Sequence, residues 1–387
     1  MNPDPTTLTA AFLHWLHERE ILHDDPVSMQ QFGNAYRQLT QMAQHTDPST
    51  RNRLLQSLAS GLTARQSNWE FGSLANTCGM IVEWGADPSL AIEPILDRMT
   101  KQLARIPEFV QVMQENLGVE HPNRVAEQDW PELGRTQPEY AWVIGEWHAL
   151  RFTGCAAMTM LCRDVAARQR ARQRVELALH AETARSDNPY AYYLAELLGM
   201  ADEVRLLVLD TTRGLGFRVC LMAIRNNFHF FTLLQDALLS HASAAAWQGP
   251  GVRPLLINVA KGERMLPDIA AGEWAAVAIP DDQRVCDFAL WTYCTHRALR
   301  GDGTLAGLNA SKDENVWIWG EAKPAEIPSL CGERIVLLGA PEFPRSWDLA
   351  FFAPLHSALR SSVVVEETLR DEEYRAWIGK IIEQAPP

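Results

Sequence analysis

The chain has 387 residues, 47% of them apolar and 21% charged, which suits a globular protein of two or three domains and excludes long disorder. Its 35 basic and 48 acidic side chains leave a net charge of −13, so neither nucleic acid nor an anionic membrane surface is an expected partner. Seven cysteines, odd in number and without a Cys-x-x-Cys pair, sit mostly in apolar runs; buried thiols in a reducing compartment explain them better than a disulfide frame. The opening Met-Asn-Pro-Asp-Pro has no leader pattern, and no run approaches the roughly 18 apolar residues of a membrane span, so a soluble cytoplasmic chain is expected.

The first 200 residues carry helical periodicity. Leu8, Phe12, Trp15 and Leu16 share one face, as do Phe32, Tyr36, Leu39 and Met42. Asp47-Pro48 reads as a helix cap followed by proline in the first turn, where its missing N–H costs nothing. Trp69 to Val82 predicts another helix, stopped at Gly85, and a second Asp-Pro at 87–88 precedes the periodic run from Leu90 to Leu103. The two Asp-Pro starts are 40 positions apart, close to the period of HEAT-type helical repeats, so a helical bundle, possibly HEAT-like, is the expected architecture for 1–200. Gly118, Pro122, Pro131, Gly134 and Pro138 predict a loop, after which helical character resumes at Tyr140 and continues in broken form to Ala184. The arginine-rich stretch from Arg163 to Arg174 reads as the solvated surface of a long helix. Asn188-Pro189 opens one more helix, ended by Gly199.

Beyond residue 200 the pattern changes to that of a mixed α/β domain, expected over 201–387. Val204–Leu209 and Phe217–Ile224 are apolar runs separated by a glycine-containing turn, which predicts a hairpin, and a helix is expected from Phe228 to Leu239. Strand-like runs recur at Leu255–Val259, Ala275–Ile279, Val316–Trp319, Ile335–Leu338 and Val363–Val365, and a last helix spans Asp371 to Ile382. The fold class is therefore helical first, then α+β with a mixed sheet.

Reactive signatures are few. Gly214-Leu-Gly216 lacks the third glycine and the following helix of a dinucleotide site, and Gly-x-Ser-x-Gly, the phosphate-loop motif and His-Glu-x-x-His are all missing from the sequence. His148, Cys155 and Cys162 recur every seven residues and share a helix face, which suits a buried stripe; with Cys294-Thr-His296 and the distant His229 and His241 they match no zinc spacing. Neither a metal nor a cofactor is expected. Asp210, Arg213, Arg218 and His229 lie close in sequence at the hairpin, where His229 as base, Asp210 as its orienting partner and Arg213 holding an anion would form an acid/base site. The competing reading is turn chemistry, with Asp210 bonding nearby amides, Asn226-Asn227 capping the next helix and the arginines paired with carboxylates.

The strongest oddity is 13 tryptophans. In Val316-Trp317-Ile318-Trp319-Gly320-Glu321, strand alternation places both indoles on one face and Val316 and Ile318 on the other, in the core. The indole face suits either a packed helix or an aromatic groove, with Glu321 at its end and the polar loop 300–315 before it. Two functional expectations follow. The first is a non-catalytic cytoplasmic interaction or regulatory protein that binds a protein or peptide through Trp317, Trp319 and Glu321. The second is a hydrolase, a transferase or an accessory subunit with its site at the 204–229 hairpin.

Overall fold

The computed structural model describes residues 4–22, 25–64, 67–116, 118–125, 129–241, 252–269, 285–287, 291–306, 316–341 and 346–384. The chain forms two compact units, Met1–Leu198 and Gly199–Pro387. No helix among the described residues is long and apolar enough to cross a membrane.

The first unit is helical. Its elements are α1 (Pro5–Leu22), α2 (Pro26–His45), α3 (Pro48–Leu62), α4 (Asn68–Glu83), α5 (Ile92–Ala104), α6 (Ile106–Glu115), α7 (Trp130–Thr136), α8 (Ala141–Arg163), α9 (Val165–Arg172), α10 (Val175–Thr183) and α11 (Pro189–Leu198). Asp25 and Asp47 cap α2 and α3 by accepting backbone N–H bonds, with proline next in line. Asp87 instead opens a single 3-10 turn, Pro88–Leu90, before α5 begins. The two Asp-Pro starts 40 residues apart thus open unlike elements, which gives no support to a HEAT-type repeat. Helix α4 packs directly on α8, and small residues permit it. A methyl group added at Gly72 would stand 3.4 Å from the Ala149 carbonyl oxygen, and one at Gly79 only 3.0 Å from the Ala156 Cα. Both pairs advance by seven residues, two helical turns, so the seam stays in register along two parallel helices.

Three expectations in this unit need correction. The predicted loop at 118–138 contains α7, because Trp130 is buried and Pro131 falls in the first turn, where a proline is tolerated. The arginine-rich stretch is not one solvated surface. Asp164 leaves the helical conformation, ends α8 and caps α9, and Arg168 is then buried with its Nη1 donating to the Leu161 carbonyl at 2.6 Å. Arg163, Arg170 and Arg174 pair with Glu83, Glu93 and Asp97, supplied by α4 and α5 rather than by sequence neighbours. Finally, Cys162 is buried but Cys155 on the same helix is exposed, so the seven-residue series is not a single buried stripe.

The second unit holds a mixed sheet. Its elements are β1 (Val204–Asp210), β2 (Leu215–Met222), α12 (Asn227–Ser240), α13 (Pro254–Ala260), β3 (Val285–Asp287), β4 (Thr292–Thr295), β5 (Ser329–Leu330), β6 (Glu333–Gly339), β7 (Ser346–Asp348), β8 (Ser362–Thr368) and α14 (Asp371–Glu383). The main sheet runs β4-β6-β1-β2-β8, with β5 also on β6, while β3 and β7 form a separate pair. Among the described residues β1 and β6 pair in parallel and the other strand pairs are antiparallel. The continuous apolar run of β1 is explained by its central place, with both faces covered. Leu206 and Val208 join the cluster packed by Phe230, Phe231 and Leu234 of α12, whereas Leu207 and Leu209 join the one packed by Trp377 and Ile381 of α14.

The hairpin, the helix after it, the strands at 335–338 and 363–365 and the final helix lie where the sequence reading put them. Leu255–Val259 does not: it is α13, which starts at Pro254 in the proline-tolerant first turn. A five-residue apolar run is ambiguous between a strand and a buried helix, and the proline decides for the helix. Val316–Trp319 is extended beside β4 but makes only an isolated bridge, Cys294 with Trp317. The run at 275–279 lies outside the described residues, as do Trp247, Trp274 and positions 307–315 of the polar loop.

Candidate functional site

The four polar residues of the hairpin are divided by strand geometry. In the β1–β2 register Asp210 opposes Leu215 and Arg218 opposes Leu207. Opposed residues share a face and neighbours alternate, so Asp210 and Arg218 fall on opposite faces of the sheet. Asp210, nearly buried, closes the turn: its Oδ1 accepts the backbone N–H groups of Thr212 and Arg213 at 3.0 and 3.1 Å, and its Oδ2 pairs with Arg213 Nη1 at 2.6 Å. Gly214, at φ +70°, supplies the left-handed residue that returns the chain into β2. Arg218 points towards α14 and is held by Glu333 at 2.7 Å, Glu373 at 3.1 Å and Glu367 at 3.4 Å.

His229 lies on α12 and is buried. The Arg225 N–H donates to its Nδ1 at 3.3 Å, which leaves the proton on Nε2 to be donated to the Ala260 carbonyl at 2.8 Å. Burial lowers its pKa to about 4, so the ring is neutral near pH 7 and joins α12 to α13. The structure therefore brings Asp210 and Arg213 together and leaves Arg218 and His229 apart from them. All four are engaged by backbone or carboxylate partners, and the pattern is that of turn, ion-pair and helix-docking chemistry.

The tryptophan segment is built differently. Thr295 N–H donates to the Val316 carbonyl and Ile318 N–H to the Tyr293 carbonyl, which ties the segment to β4 for one short stretch. Beyond it the carbonyls turn to the N-terminus of α12. Asn227 Nδ2 donates to Trp319 O at 2.8 Å, Phe228 N–H to Gly320 O at 2.9 Å and Asn227 N–H to Ala322 O at 2.9 Å. The first amides of a helix have no partner within it, and these carbonyls satisfy two of them, which is why the segment leaves the ladder here. Gly320 is required for the approach: a methyl group there would stand 2.2 Å from the Phe228 ring. Asn226 caps α12 through its Oδ1 on the His229 N–H, as expected for the Asn226-Asn227 pair.

Val316 and Ile318 are both buried, but in different clusters, one on each side of the sheet. Trp317 packs half-buried beside the α14 cluster, whereas Trp319 is 60% exposed. The two indoles line one small hollow of about 150 Å³ together with Asn227, Thr295, Glu326 and Pro328. Asn227 is 1% exposed and its Oδ1 has no hydrogen-bond partner among the described residues. A buried acceptor left unmatched is uncommon and costs the desolvation of that group, so it marks this place. Glu321, exposed, stands at the end of the segment. Sequence reasoning found Trp317, Trp319 and Glu321 but not Asn227, Glu326 or Pro328. Asn227 carried a signal only as part of a helix cap, and nothing in sequence joins 227 to 326.

No family model, no curated protein and no solved structure matches this chain.

Proposed function

We propose that the protein is a non-catalytic interaction or regulatory protein of the cytoplasm that binds a protein or peptide partner at the Trp319 hollow. The observation that carries this reading is the pairing of a largely exposed indole with a buried, unmatched amide oxygen in the same hollow. An exposed tryptophan beside a small recess suits an anchor for a partner side chain, because it offers apolar area at low entropic cost. The size of the recess, about 150 Å³, favours one side chain over a small-molecule substrate, whose sites run from roughly 300 Å³ upward. The reading of a reducing compartment is supported by Cys78 and Cys162, free thiols that burial pushes up to about 12. For the hairpin, the engagement of Asp210, Arg213, Arg218 and His229 within the chain favours a structural role.

The test is retention of the full-length protein on a peptide array, with Trp319→Ala as the comparison. Wild type is expected to retain a defined subset of peptides, and Trp319→Ala to lose it with an unfolding free energy within about 0.5 kcal/mol of wild type, as for an exposed side chain. An unchanged subset in the variant would remove the site from the reading. Trp317→Ala is expected to cost stability as well, because that ring packs on the core.

A further inference from the structure

We infer that the Trp319 hollow takes the guanidinium of an arginine side chain from an extended peptide; this rests on the recognition reading above and names its partner's chemistry. Beside the indole N–H groups and the Thr295 hydroxyl, the lining residues carry two acceptors, on Asn227 and Glu326. The Oδ1 of Asn227 is an acceptor without a partner, since its amide nitrogen is already spent on Trp319 O. Glu326 lines the recess, exposed and with acceptor capacity beyond the Lys323 N–H that its Oε1 accepts at 3.2 Å, and Glu321 is exposed two residues after Trp319. The one cation of this stretch, Lys323, is already engaged within the chain. The whole chain carries −13, which attracts a basic peptide and repels an acidic one.

Arginine fits these groups better than lysine does. Its guanidinium is flat and weakly hydrated, stacks on an indole, and presents several N–H groups in fixed directions, so it meets a ring face and a carboxylate together. Lysine carries a compact, strongly hydrated charge that satisfies the carboxylate and gives up the stacking. A hollow of about 150 Å³ admits one such side chain and leaves the peptide backbone outside, along the Trp319 edge.

The probes are blocked pentapeptides of alanine with arginine, lysine, citrulline or leucine at the centre. The readout is the indole N–H signal of Trp319 in the full-length isotope-labelled protein, assigned with Trp319→Phe. Citrulline keeps the shape and most donors of arginine but removes the charge. The arginine peptide is expected to shift the Trp319 signal saturably, with the citrulline peptide at least tenfold weaker and the lysine peptide several-fold weaker. Glu326→Gln, a surface change, is expected to weaken arginine binding about threefold to tenfold. A Trp319 signal moved equally by the arginine and citrulline peptides, or more by the leucine peptide, would overturn the arginine assignment and leave the recognition site standing. No movement with any of the four probes, together with an array on which wild type retains nothing, would overturn both.

Discussion

At the scale of single residues, burial decides what a polar side chain does. His229 illustrates it. Two residues after an asparagine pair and near Asp210 and Arg213 in sequence, it has the chemistry of a general base, yet both ring nitrogens are bonded to backbone inside the core. Its pKa is about 4 when folded against about 6.5 in the unfolded chain, so protons bind the unfolded state preferentially between those values. The sign follows: the neutral ring contributes its full stability above about pH 6.5, and this is lost as pH falls towards 4. The loss is on the order of 3 kcal/mol over the window. His229→Gln preserves a donor for Ala260 O but does not titrate. Urea unfolding at pH 7.5 and 4.5 should show a smaller loss of stability in this variant than in wild type, and equal losses would refute the buried-imidazole account. Arg168 makes the same point with the opposite charge logic. Its composition says surface, but it is buried and donates to the carbonyl of Leu161 near the end of α8, where backbone acceptors lack helical partners.

At the scale of elements, glycine discriminates between seams and surfaces. Gly79 and Gly33 are both helical, so alanine at either gains about 1 kcal/mol in helix propensity. At Gly79 the added methyl group meets the Cα of Ala156 at 3.0 Å, a backbone atom that no rotamer change can move, while at Gly33 there is nothing within 4 Å. Overpacking costs about 1–3 kcal/mol, which outweighs the propensity at the first position only. Gly79→Ala is therefore expected to be destabilising by about 1 kcal/mol and Gly33→Ala stabilising by up to about 1 kcal/mol. Thermal unfolding of the two variants reads the difference in sign. The same seam explains how α4 and α8, whose facing residues Gly79 and Ala156 are 77 positions apart in the chain, pack directly together.

For the whole molecule, the two units have separate sources of stability. The apolar clusters around the sheet are composed of residues from Ala201 to Ile381, all within the second unit. The first unit buries its own leucines along α3, α4, α5 and α8, among them Leu54, Leu58, Leu74, Leu96 and Leu161. Segments 1–198 and 199–387 expressed separately are expected to unfold cooperatively in urea, each with a single transition. A broad, non-cooperative transition in either would show that its core needs the other unit.

Much of the fold was legible in the sequence because periodicity and capping are local. Asp47-Pro48 starts a helix, the run from Tyr140 is one, and the parity of β1 and β2 about a glycine turn sets a hairpin without any tertiary information. The candidate site was half legible. Trp317 and Trp319 announce themselves by composition, and the exposure of Trp319 follows from an edge position the alternation only suggests. What sequence by itself determined is thus the order of elements and the chemistry available to them. The tertiary structure alone decided two things: that Arg168 is buried although its stretch is rich in arginine, and that Asn227 is brought beside Trp319 with an acceptor unmatched. The reason is physical. Local patterns record which face of an element is apolar, whereas burial and hydrogen-bond partners depend on what the rest of the chain places against that face.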